Sequence, residues 1–115
     1  MFEYRASLVK IIDGDTIDVD LDLGFDVVLK KQRIRLYGIN TPESRTRDLE
    51  EKTRGLAAKQ FVIDILKKHH NNFILHSQGV GKYGRCLGEI FLGDVKLNEL
   101  LITEGHATAY NGGKR

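Results

Sequence analysis

A single cysteine, Cys86, and a single proline, Pro42, stand in 115 residues. One thiol cannot close an internal disulfide, so the fold owes nothing to cross-links. No C-x-x-C pair or Cys/His cluster offers a structural zinc site. No apolar run approaches the length that spans a bilayer, which predicts no membrane partner. The start, Met1-Phe2-Glu3-Tyr4-Arg5, lacks the basic head and apolar run of a secretory signal. It predicts a cytoplasmic protein if the chain is complete, and a secreted one if a leader has been removed. Charge of one sign is scarce too: 18 basic against 16 acidic residues leave +2, too little to mark a nucleic-acid binder. The charges are nonetheless segregated, with Asp13, Asp15, Asp18, Asp20 and Asp22 early and Lys30, Lys31, Arg33, Arg35, Arg45, Arg47, Lys82, Arg85, Lys114 and Arg115 later. Such a division suits a metal and a phosphate, or two solvated faces.

What remains is ordinary globular composition, 41% hydrophobic and 30% charged, in a length that fits one domain, residues 1–115. Tyr4 to Ile12 reads as a strand ending at Asp13-Gly14. Ile17, Val19, Leu21 and Leu23 alternate with Asp18, Asp20 and Asp22 in a second strand. Asp26 to Ile39 reads as a long third strand, and Ser44 to Lys52 as a loop. A helix is expected from Thr53 or Arg54, with Ala58, Phe61, Val62, Ile65 and Leu66 as its apolar stripe, broken at Asn71-Asn72. Phe73 to His76 is a short strand, Gln78 to Gly84 a glycine-rich loop, and Arg85 to Leu92 another strand. Gly93-Asp94 marks a hairpin before Val95, and Leu97, Leu100 and Leu101 a short helix stopped by Gly105. The order is that of a mainly β, α+β domain and suits a five-stranded OB-fold β-barrel with a helix between strands 3 and 4 and a short C-terminal helix, one of several α+β arrangements that order alone allows.

Chemistry concentrates in three segments: Val9-Lys10-Ile11-Ile12-Asp13-Gly14-Asp15-Thr16, Ile34-Arg35-Leu36-Tyr37-Gly38-Ile39-Asn40-Thr41-Pro42-Glu43, and Lys82-Tyr83-Gly84-Arg85-Cys86-Leu87. Cleaving a phosphodiester needs an activated water, cations on the phosphoryl oxygens and stabilisation of the leaving alkoxide. Asp15 stands where a strand begins after a glycine turn, and Asn40-Thr41 where another ends. Two strand ends can meet at a barrel rim and offer the oxygen ligands that a hard Ca²⁺ ion prefers.

In that order the three segments resemble the staphylococcal nuclease (thermonuclease) family, with its V-x-x-x-I-D-G-D-T, R-L-x-G-I-[DN]-x-P-E and Y-G-R-x-L patterns. Asn98-Glu99-x-Leu101 and Gly105-x-Ala107 match its C-terminal helix, so the resemblance runs from about Val9 to Tyr110. It implies a Ca²⁺-dependent endonuclease acting on DNA and RNA, single strands preferred, as a monomer, breaking the bond to the 5′ oxygen and leaving 3′-phosphate ends. It further implies that Asp15, the side chain of Asn40 and the carbonyl of Thr41 hold the calcium. Glu43 orients or deprotonates the attacking water, and Arg35 and Arg85 grip the scissile phosphate. Lys82 touches an adjacent phosphate or sits in water. Single-strand binders use aromatic platforms, so Tyr83 reads equally as a nucleotide contact or as core packing, and Tyr110 as core packing ahead of a nucleotide contact. The competing class is a non-catalytic OB module that binds single-stranded nucleic acid or a protein. Retention of Asp15, Arg35, Thr41, Glu43 and Arg85 together favours the enzyme.

Other features read as structure. Asp18, Asp20 and Asp22 open like an EF-hand loop, but Leu23 and Leu29 stand where Gly and Glu are required, so a polar strand face is expected. His69-His70 complements the end of the helix, and Cys86 is expected to be a small buried hydrophobe. Two positions depart from the family pattern: Asn40, where the best-known secreted members carry Asp, and Gly81, where an acid is often found before the lysine. The chain also ends at Gly113-Lys114-Arg115, where the secreted enzymes continue into a further helix.

Overall fold

The computed structural model describes residues 2–80 and 86–110. β1 (Glu3–Asp13) turns at Gly14-Asp15 into β2 (Thr16–Asp22), and β3 (Val28–Leu36) lies antiparallel beside β2. On its other edge β1 pairs with β5 (Asn72–Val80), which pairs with β6 (Cys86–Leu92). β6 then meets β3 in parallel, Ile34 opposite Cys86 and Leu36 opposite Gly88. The circuit β3-β2-β1-β5-β6-β3 closes a five-stranded barrel, which leaves few free sheet edges. Ile17, Val19, Ile34, Leu36, Leu75, Ile90 and Leu92 fill it, joined by Val62 and Leu66 of α1 (Leu49–Lys68) and by Leu97 and Leu101 of α2 (Leu97–Thr103).

Alternation in β2 puts Ile17, Val19 and Leu21 inside, but Leu23 is exposed because the strand has ended at Asp22. The opposite face is a paired polar surface. Arg33 Nε and Nη2 donate to the two carboxylate oxygens of Asp18 at 2.9 and 3.2 Å, and Lys30 meets Asp20 at 3.3 Å. Hydrogen bonding from Arg33 holds the Asp18 carboxyl below its ordinary value of 3.8. A depressed folded-state value stabilises the fold above the ordinary value, and that stabilisation disappears as pH falls through the folded one. The Tm advantage of the parent over Asp18→Asn is therefore expected to shrink as pH drops below about 4, as thermal melts at successive pH values would measure.

Further boundaries differ from those the sequence suggests. The third strand begins at Val28, not Asp26, because Phe25 and Asp26 take positive φ in the preceding turn. The third strand stops at Leu36, because Gly38 adopts φ +82° and turns the chain into a separate two-residue strand, β4 (Ile39–Asn40). Its partner is β8 (Thr108–Ala109), unforeseen in the sequence, as two residues carry no periodicity. The helix starts at Leu49, not Thr53, within a segment read as loop. Asp48 caps it by accepting the N–H groups of Glu50 and Glu51, and these acids sit favourably at the dipole's positive end. β5 continues to Val80, through a segment also read as loop. A register shift between Ser77 and Val80 absorbs Gly79, at φ +96°, without ending the ladder.

The remaining expectations hold closely. Ala58, Val62 and Leu66 are buried on α1 with Phe61 and Ile65 half-buried, and the helix ends at Lys68 with His69 as C-cap. Gly93-Asp94 joins β6 to β7 (Val95–Lys96). Gly105, at φ +79°, follows α2. Cys86 is half-buried rather than fully enclosed, packed against the core. Among the described residues, no helix is long and apolar enough to cross a membrane.

Candidate active site

Asp15 occupies the β1–β2 turn at the rim of the barrel and is only 2% exposed. Its backbone carbonyl accepts the Leu36 N–H at 2.8 Å, so the turn is pinned to the end of β3. Its carboxylate reaches across to the chain after β4: Oδ2 accepts the Thr41 N–H at 3.0 Å, while Oδ1 accepts the Thr16 hydroxyl at 3.0 Å. Gly14 makes the approach possible. A Cβ there would lie 3.0 Å from the Ala58 side chain and 3.1 Å from that of Thr41.

Arg35, 8% exposed near the end of β3, completes the cluster. Its Nη1 lies 3.3 Å from Asp15 Oδ2 and donates to the Leu36 carbonyl at 3.2 Å. Its Nη2 donates to Asn40 Oδ1 at 3.3 Å. The guanidinium carbon sits 5.7 Å from the centre of the Tyr110 ring, within cation–π range, and the Tyr110 N–H bonds to the Gly38 carbonyl at 2.8 Å. Four residues assigned to the site from sequence, Asp15, Arg35, Asn40 and Thr41, are thus brought together, with Tyr110 beside them. Glu43 follows on the same loop, half-buried, its N–H donated to Glu51 Oε2 at 3.0 Å. Lys82, Tyr83 and Arg85 lie outside the described residues, as does Gly81. Asn40, Thr41 and Pro42 also line an open cavity of about 370 Å³, bounded opposite by Glu51, Arg54, His106 and Thr108.

The donor set defines what the site can hold. Among the described residues no three His, Cys, Asp or Glu side chains converge. What converges is a carboxylate and an amide oxygen about one positive charge, the Arg35 guanidinium, with the Thr41 carbonyl next in the chain. All-oxygen donors carrying a single negative charge fit a hard divalent cation and not zinc. Next to them, an arginine fork fits a phosphate.

Sequence reading placed Asn98 only in the C-terminal helix match and passed over Gly55, yet both hold this arrangement. Asn98 of α2 is 3% exposed. Its Oδ1 accepts the Ile90 N–H at 3.1 Å, and its Nδ2 donates to the Tyr37 and Gly88 carbonyls at 2.8 and 3.2 Å. One side chain therefore ties α2 and β6 to the turn between Arg35 and Asn40. Gly55 passes so close to the Glu43–Ser44 peptide that a Cβ would fall 2.2 Å from the Glu43 carbonyl oxygen. Neither Asn98 nor Gly55 announces its contacts in one dimension.

An OB-type barrel with an oxygen-rich, arginine-bearing site at its rim is the class that this geometry defines. Residues 33–115 match the family described as Staphylococcal nuclease homologue. The chain is 33% identical over 107 residues to the thermonuclease of Staphylococcus hyicus, covering 93% of this chain and 60% of that protein. To the thermonuclease of Staphylococcus intermedius it is 37% identical over 106 residues, covering 91% and 60%. To the micrococcal nuclease of Shigella flexneri it is 30% identical over 119 residues, covering 94% and 59%. The chain belongs to the staphylococcal nuclease family. It spans about 60% of the length of the two thermonucleases.

Proposed function

We propose that this chain is a calcium-dependent nuclease that hydrolyses phosphodiester bonds in DNA and RNA, preferring single strands. It acts as one domain and one monomer, breaks the bond to the 5′ oxygen and leaves 3′-phosphate ends. The observation that carries this reading is the convergence of Asp15, Arg35 and Asn40 at one point of the barrel rim. Asp15, the Asn40 amide oxygen and the Thr41 carbonyl would hold the ion, which when bound would supply positive charge against the phosphoryl oxygens. Glu43 orients the water whose oxygen attacks phosphorus, or takes its proton. Arg35 and Arg85 pair with the phosphoryl oxygens as negative charge grows there and on the departing 5′ oxygen. Tyr110, against the Arg35 guanidinium, and Tyr83 offer surfaces to the flanking nucleoside, and Lys82 meets a neighbouring phosphate. An end-labelled single-stranded oligonucleotide tests the chemistry: its products should carry 3′-phosphate termini, and 3′-hydroxyl termini would refute the assigned bond.

Asn40 sets the metal requirement. An amide oxygen ligates calcium without charge, and ligand charge is one determinant of affinity. Asn40→Asp is expected to lower the calcium concentration giving half-maximal activity. The maximal rate need not rise, because an added anion reduces the net pull on the substrate phosphate. Titrating activity against Ca²⁺ at fixed ionic strength reads the shift directly; an unchanged or weaker requirement would remove Asn40 from the ligand set.

A further inference from the structure

The Glu43 loop is held by groups to which the chemistry above gives no part. Glu51 is the third residue of α1, the position from which a capping-box acid ordinarily turns back to the N-cap N–H. Here the Asp48 N–H is instead taken by Thr46 Oγ1 at 3.3 Å, and Glu51 Oε2 accepts the Glu43 N–H at 3.0 Å. The next amide is held as well: Ser44 N–H donates to Asp13 Oδ1 at 3.1 Å, and the buried Ser44 hydroxyl bonds the same carboxylate. The helix backbone at Gly55 closes against the Glu43 carbonyl, where a Cβ would stand 2.2 Å away. Two successive amides each bound to a carboxylate, with the intervening carbonyl against a glycine, leave the Glu43 backbone little freedom. A surface loop ordinarily gives such groups to water.

We propose that Glu51 is a positioning residue which, with Asp13 and Gly55, fixes the Glu43 backbone and thereby aims the Glu43 carboxylate at the rim site. This rests on the reading of Glu43 as the group that acts on water. The effect runs through an accepted hydrogen bond, so an oxygen is needed at position 51 and a charge is not. A helix-dipole role for Glu51 would require the charge instead.

Glu51→Ala and Glu51→Gln separate the two, with circular dichroism confirming folding. Glu51→Ala should lower kcat on a single-stranded oligonucleotide by about 10- to 100-fold, the cost of a small misplacement of a reacting group, with KM nearly unchanged. Glu51→Gln should restore most of it. In a Glu43→Ala background, Glu51→Ala should cost nothing further, since the two act as one unit. Parental kcat in Glu51→Ala, or a Glu51→Gln variant as slow as Glu51→Ala, would overturn the proposal. Amide hydrogen exchange distinguishes failure of the underlying reading. If Glu43→Ala keeps parental kcat, the assigned role of Glu43 falls, and with it the aim of the clamp. Exchange at the Glu43 N–H still tests the contact itself: about tenfold faster in Glu51→Ala, from one lost hydrogen bond, and unchanged in Glu51→Gln. Equal protection in both variants would show that Glu51 does not hold this peptide.

Discussion

Arg35→Lys is expected to lower kcat by about 10²–10³, the usual cost of removing one preorganised group that stabilises transition-state charge. Arg35 serves several acceptors at once: Asp15 Oδ2, the Leu36 carbonyl and Asn40 Oδ1, from two nitrogens of one plane. An ammonium is a point charge on a flexible stem and cannot reproduce that fork. Because Arg35 is buried, the variant must first be shown folded by circular dichroism and by its melting temperature. Single-turnover rates at saturating calcium then isolate the chemical step. A variant that is folded and cleaves like the parent would mean that Arg35 neutralises Asp15 and does nothing more.

Gly55→Ala is expected to destabilise the protein by about 1–3 kcal/mol, the range for overpacking a filled site. Helix propensity alone predicts the opposite sign, a gain of about 1 kcal/mol for alanine over glycine within a helix. The contact decides. The new Cβ would meet the Glu43 carbonyl carbon at 2.4 Å and the Ser44 nitrogen at 2.7 Å, backbone atoms that cannot swing aside as a side chain does. Relief requires α1 and the Glu43 loop to separate, so the rate should fall together with the urea midpoint. A midpoint equal to or above the parent's would show that helix and loop are not in firm contact.

The barrel was legible because burial in strands leaves a period of two: Ile17, Val19 and Leu21 announce β2, and turn residues bound it. Helix α1 was legible from Ala58 onward, where the apolar stripe begins. Its first turn was not, because Glu50, Glu51 and Lys52 have no buried face to betray them. Gly38 looked like one residue within a long strand, and only its positive φ reveals the turn that carries Asn40 and Thr41 to Asp15. For the site, Asp15, Arg35, Asn40 and Thr41 and their spacing stood in the motifs. The bonds that assemble them did not: Asn98 reaches Tyr37 across 61 positions, and Ser44 reaches Asp13 across 31. Contacts of that range depend on barrel closure, which no local pattern encodes.

The most direct measurement is cleavage of single-stranded DNA by the purified chain in Ca²⁺, in Mg²⁺ and in excess chelator. Hydrolysis is expected with Ca²⁺, poorly with Mg²⁺, which demands near-ideal octahedral geometry and holds its waters, and not at all in chelator. Undiminished cleavage in chelator, or none in saturating Ca²⁺ by a demonstrably folded protein, would contradict a calcium-dependent nuclease.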